Sequence, residues 1–208
     1  FKKCISKINQ THYLNDRKIN PELLKKYNVG YDEKRDMVVF PINKNSYFAR
    51  SVSGDSKIKS KGISYLWNEK LLDNSDDKTL IYVTESIIDS LSLETIDPEV
   101  KTIALNGLPN YKRLLKIAKD KNFKGTLVLA FDNDKYGEMY QDIVREELTN
   151  LKVNSFSTSL IPALDEKDLN EALIKNKESL IKSYNYFNNN IKLIIDKKIE
   201  EKGSDLEL

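Results

Sequence analysis

Leu127-Val128-Leu129-Ala130-Phe131-Asp132-Asn133-Asp134-Lys135-Tyr136-Gly137 joins an unbroken apolar run to two carboxylates and a glycine. An apolar run without polar alternation predicts a strand buried on both faces, which belongs in a parallel sheet. Along an extended chain Asp132 and Asp134 fall on one side, where two carboxylates can share a hard cation such as Mg²⁺ or Mn²⁺. Taken alone, the string also fits an ordinary acidic turn after a strand.

Two further runs of the same texture precede it, Leu80-Ile81-Tyr82-Val83 and Thr102-Ile103-Ala104-Leu105, and a fourth, Val153–Thr158, follows. Helices are predicted between them. Ile87, Ile88 and Leu91 recur at helical spacing over 86–95, a second helix runs from the turn Asn106-Gly107-Leu108-Pro109-Asn110 to about Asp120, and a third covers 136–150. Strands alternating with helices predict an α/β unit, an open parallel sheet flanked by helices. In such sheets functional groups gather at the carboxyl ends of the strands. Glu85 leaves the first strand at such an end, and Asp89 shares its helical face. A third acidic string, Asp165-Glu166-Lys167-Asp168-Leu169-Asn170-Glu171, follows the fourth strand. Each cluster alone is also what a helix N-terminus attracts.

The amino-terminal part reads differently. Asn20 and Pro21 form an N-cap and first helical position, with Gly30 expected to stop that helix. Met37–Ile42 and Tyr47–Val52 read as strands across a polar turn at Asn43–Ser46, and Ser53–Lys61 as an exposed basic loop. Asp73-Asn74-Ser75-Asp76-Asp77 suggests a boundary. The resulting division is a smaller basic α+β subdomain over 1–75, the α/β domain over 76–166 and C-terminal helices over 167–208.

Charge follows the same division. The 208 residues carry a net +2, yet residues 1–72 hold 15 Lys/Arg against 7 Asp/Glu, leaving 19 against 25 in the remainder. A basic half joined to an acidic half suits a polyanion surface beside a cation site, although solvated charges alone could produce it. The lone Cys4 and lone His12 exclude an internal disulfide, a zinc ribbon and any multi-imidazole site, and fit a reducing cytoplasm. No apolar run approaches a membrane span. The start, Phe1-Lys2-Lys3-Cys4, has no signal-peptide core and suggests a piece of a longer protein.

Together the three acidic strings resemble the Toprim family, with a glutamate after the first strand (Val83-Thr84-Glu85-Ser86) and Asp-x-Asp after the third (Phe131-Asp132-Asn133-Asp134). Lys167-Asp168-Leu169-Asn170-Glu171 is similar to a motif of phage and plasmid primases, and Asn106-Gly107 sits at the family's second-strand turn. Ser86 stands where the family usually has glycine, and Tyr136 where it has a small residue. The string Tyr13–Ile19, with Asn28-Val29-Gly30-Tyr31, Val39-Phe40-Pro41-Ile42 and Ala49-Arg50, looks like the basic subdomain preceding Toprim in bacterial-type primases.

That resemblance implies an enzyme, the catalytic core of a DNA primase that makes short RNA primers on single-stranded DNA by nucleotidyl transfer. Glu85, Asp132 and Asp134 would be catalytic and, with Asp168, would hold Mg²⁺ or Mn²⁺; Glu85 could alternatively serve as general base. Arg50, Lys57, Lys59, Lys61, Asn106, Gly107 and Lys135 would bind nucleotide or template, and Tyr47, Tyr65 and Trp67 could stack on bases. The implied partners are single-stranded DNA, ribonucleoside triphosphates and a replicative helicase, with no membrane. Two other readings stay open: a Toprim-type metal-dependent nuclease, and a catalytically silent DNA-binding module of a helicase–primase.

Overall fold

The computed structural model describes residues 2–59, 66–157 and 166–204. Lys61, Tyr65, Thr158, Asp165 and the tail from Asp205 lie outside them. Three short helices open the chain: α1 (Lys2–Ile5), α2 (Tyr13–Asp16) and α3 (Pro21–Lys26). Asn20 caps α3, its side chain accepting from the Glu22 N–H with Pro21 at the first helical position. The helix ends at Lys26 rather than at Gly30, because Asn28 takes the left-handed backbone that releases the chain. Gly30 instead opens a strand, where a Cβ would stand 2.6 Å from the Cys4 backbone.

Strands β1 (Gly30–Asp32), β2 (Met37–Pro41), β3 (Tyr47–Ser51) and β4 (Lys57–Lys59) form an antiparallel meander in that order. The expected basic loop thus contains an exposed edge strand. Directly paired residues on antiparallel strands share a face. Val38 pairs with Arg50 and Arg50 with Lys57, while Phe40 pairs with Phe48 and Phe48 with Lys59. Val38, Phe40 and Phe48 belong to the main core. The register therefore puts Arg50, Lys57 and Lys59 on the core-side face of this sheet, beyond its apolar part.

The second sheet is parallel, in the order β6 (Thr102–Ala104), β5 (Leu80–Thr84), β7 (Thr126–Ala130), β8 (Asn154–Ser157). Helices α4 (Ile87–Ile96), α5 (Tyr111–Asp120) and α6 (Lys135–Asn150) connect its strands, and α7 (Leu169–Lys175) and α8 (Lys177–Ser204) follow. Alternate residues of each strand feed opposite cores. Ile81, Val83, Leu127 and Leu129 pack with α5 and α6. Tyr82, Val128 and Ala130 pack with α4, α7, α8 and the amino-terminal sheet. That shared core includes Trp67, whose backbone N–H bonds the Ala104 carbonyl and whose ring meets Tyr27 and Phe40. At 1% exposure Trp67 is a core residue, which corrects the expectation that it stacks on bases. Tyr47 is half-buried and packs with Met37, Val39, Ala49 and Cys4. No helix among the described residues is long and apolar enough to cross a membrane.

Candidate active site

The chain leaves β5 toward β6 and then returns to β7 on the other side of β5, so the connections diverge between β5 and β7. The crevice beyond the carboxyl ends at such a divergence is where open α/β sheets bind ligands. Glu85 follows β5 and Asp132 follows β7, and the two residues touch: the Asp132 N–H donates to Glu85 Oε1 at 3.0 Å.

Two local caps aim the remaining carboxylates. Asp134 caps α6, one oxygen accepting from the Tyr136 and Gly137 N–H groups at 3.0 and 2.9 Å. Gly137 is required by the chain itself, since a Cβ there would stand 2.0 Å from the Asp132 carbonyl oxygen. On the β5 side Ser86 caps α4 and donates to Asp89 Oδ2 at 2.5 Å, which gives the departure from glycine a structural purpose.

The Lys-Asp-Leu-Asn-Glu string closes the crevice. Asp168 caps α7 through the Glu171 N–H, and Glu171 in turn accepts the Lys167 N–H. The Asn133 N–H bonds the Lys167 carbonyl at 2.7 Å, tying this segment to the Asp-x-Asp turn. The Lys167 ammonium then lies 4.0 Å from Asp132 and 3.4 Å from Asp134. Asn170 is a buried hub: its N–H donates to Asp89, its amide donates to the Arg17 carbonyl and to Ser92, and it accepts from the Arg17 guanidinium.

Carboxylates so placed perturb one another. Burial, then the charges of Glu85 and Asp168, push Asp132 up to about 7. Burial, then Asp168 and Asp132, raise Asp89 as well. Burial, followed by the charges of Asp89 and Asp134, raises Glu85. Asp134 goes the other way, held low by the Gly137 N–H and by Lys167. Lys167 is raised by its bond to Asp134 and by the Asp132 charge. Such opposed shifts in one crevice mark a functional-site candidate.

The donor set fits a divalent ion: all hard carboxylate oxygens, mutually repelling, partly desolvated, with one ammonium lying against two of them. Among the described residues no three Asp, Glu, His or Cys side chains converge on a common point. N–H groups and Lys167 engage oxygens of Glu85, Asp132 and Asp134 in this arrangement.

The other expected residues divide. Gly107 donates its N–H to the Glu85 carbonyl at 3.3 Å, which sets the Asn106-Gly107 turn beside the acids. Lys59 reaches that turn, its ammonium 4.0 Å from where a Gly107 Cβ would stand. Lys135 is exposed at the start of α6. Arg50 and Lys57 face each other across β3 and β4, and among the described residues no bond ties either to the acids. Sequence reasoning gave Asp89 and Lys167 no metal or binding role. A Ser-x-x-Asp capping pattern and the lysine opening the third motif were their available signals.

Residues 82–173 match the family model described as Toprim-like. They form a Toprim domain. Over about four-fifths of the chain the fold is that of solved primase structures. The primase fragment of the bacteriophage T7 primase-helicase superposes with TM-score 0.63 at 20% identity, covering 81% of this chain and 71% of that one. A T7 lagging-strand DNA polymerase structure, with primase domains of two gp4 subunits bound to an RNA/DNA hybrid and dTTP, matches at TM-score 0.65 and 16% identity, covering 81% of this chain and 88% of that one. The zinc-binding and RNA polymerase domains of the Aquifex aeolicus primase match at TM-score 0.58 and 15% identity, covering 83% of this chain and 55% of that one. No curated protein matches in sequence. The family match ends short of the antiparallel sheet, which lies outside residues 82–173.

Proposed function

We propose that the chain is the catalytic core of a DNA primase, joining ribonucleotides on a single-stranded DNA template. The observation that carries this reading is the contact of Glu85 with the Asp132 turn, beside Asp134, Asp168 and Asp89, next to a sheet whose basic residues lie on its inner face. The likeness to primase folds supports the same class.

Glu85, Asp132 and Asp134, with Asp168 behind them, would hold Mg²⁺ or Mn²⁺. Bound there, the ions would acidify the attacking 3′-hydroxyl and neutralise charge on the triphosphate. Burial and the neighbouring carboxylates push the Asp132 carboxyl up in the metal-free chain, a repulsion that a bound divalent ion would relieve. Lys167, held by Asp134 before ligand arrives, is placed to turn to a phosphate oxygen once that carboxylate is engaged elsewhere. Arg50, Lys57 and Lys59 would track template or triphosphate phosphates from the facing sheet.

A replicative helicase is the partner this reading implies, since one of the matched folds comes from a primase-helicase. Dinucleotide formation from ribonucleoside triphosphates on varied single-stranded templates tests the reading. Asp132→Asn or Asp134→Asn is expected to lower the rate by about 100-fold or more. Undiminished synthesis by both variants refutes it, and strand cleavage without nucleotides would favour a nuclease.

A further inference from the structure

Asn106 is the most anomalous polar residue near the crevice. It is 8% exposed, its backbone is left-handed at φ 54°, and both amide atoms, Nδ2 and Oδ1, are buried without a hydrogen-bond partner. Leaving a buried amide unsatisfied is costly, and folded proteins keep such groups rarely, chiefly where a ligand or water completes them. Asparagine is also the residue whose two unmet needs are opposite: Nδ2 must donate and Oδ1 must accept. A phosphate oxygen only accepts, and a cation would engage Oδ1 alone, so each would leave one atom orphaned. A hydroxyl both donates and accepts, and it alone among a nucleotide's sugar and phosphate groups can satisfy both.

Position says which hydroxyl. Asn106 follows β6, whose neighbour β5 leads into Glu85, and the adjoining Gly107 N–H is bonded to the Glu85 carbonyl. Adjacent strands stand about 4.8 Å apart. Phosphates held at the acidic crevice over β5 and β7 therefore leave the attached sugar one strand spacing away, at the Asn106 turn. Lys59 adds a cation to the same place: its ammonium lies 4.0 Å from where a Gly107 Cβ would stand. An ammonium on a flexible stem is suited to a phosphate of the same nucleotide.

We infer that Asn106 reads a ribose hydroxyl of the nucleotide bound at the acidic crevice, and so contributes to choosing ribo- over deoxyribonucleotides. The inference rests on the primase reading. Its test is equilibrium binding, by calorimetry with Mg²⁺ and no template, of ATP, dATP and CTP to the wild type and to Asn106→Gly. Glycine accepts the left-handed backbone, so the variant removes the amide without straining the turn; a cooperative melt confirms that it is folded.

The wild type is expected to bind ATP about tenfold more tightly than dATP. Asn106→Gly is expected to bind ATP as weakly as dATP, with dATP unaffected. Equal affinity of the wild type for ATP and dATP overturns the inference alone, as does a variant that keeps the preference. A wild-type preference that follows the base, separating ATP from CTP but not from dATP, overturns it too. A wild type that binds none of the three sinks the primase reading along with it.

Discussion

The two four-stranded sheets reach opposite chemistry by opposite construction. In the antiparallel sheet neighbouring strands are joined by short turns, and its basic residues sit on β3 and on the edge strand β4, where a long cation can remain in water. In the parallel sheet every connection is a helix crossover, both faces are buried, and polar groups have only the strand ends left to occupy. Carboxylates confined to those ends are crowded and partly desolvated, whereas lysines on a free edge are neither. The difference explains why the carboxylates at those strand ends perturb one another while the cations of the free edge stand exposed.

Asn170 is the point at which the amino-terminal helices, α4 and α7 meet, and breaking it should show the largest effect. Asn170→Leu removes the side-chain amide that Ser92 and Arg17 bond in a buried place, while the backbone N–H to Asp89 stays. It is expected to cost about 2–4 kcal/mol in denaturant unfolding. A loss under about 1 kcal/mol would mean the two sheets are held together by their apolar core alone.

The acids should declare themselves through pH. Asp132 loses its proton near 7 in the folded chain, against an ordinary 3.8, so between those values the folded state holds a proton that the unfolded state has released. Stability is therefore highest below about pH 4, as far as this group is concerned, and falls as pH rises to about 7. With chelator present, the melting temperature is expected to decline from pH 5 to pH 8, less steeply in Asp89→Asn. Added Mg²⁺ should restore it at pH 8 and do little at pH 5. A melting temperature that climbs over this range would contradict the crowding.

Smallest for stability is the basic edge. Lys57→Ala with Lys59→Ala should change unfolding free energy by no more than about 0.5 kcal/mol, because both side chains are exposed on a free strand. The same pair should lower the salt dependence of single-stranded DNA binding by about 0.7 for each phosphate left without its lysine. An unchanged salt slope would remove these lysines from the template path.

The parallel sheet was readable from composition because apolar runs such as Leu127–Phe131 leave no other means of burying both faces. The caps were readable as well, Asn20 with Pro21 most clearly. Trp67 shows the limit: beside a basic loop it reads as a stacking residue, yet packing against Phe40 and Tyr27 takes it into the core. Gly137 is similar, one glycine after the Asp-x-Asp pair by pattern and a close approach to the Asp132 backbone in three dimensions.

What the chain order alone determined is which residues stand at strand ends, for periodicity and caps act over a few neighbours. Only the tertiary structure decided which of those ends meet. Asp89 joins Asn170, Lys167 joins the Asp-x-Asp turn and Lys59 reaches Gly107 across separations of tens of residues. Those meetings depend on strand order and on a shared core, which no local pattern encodes.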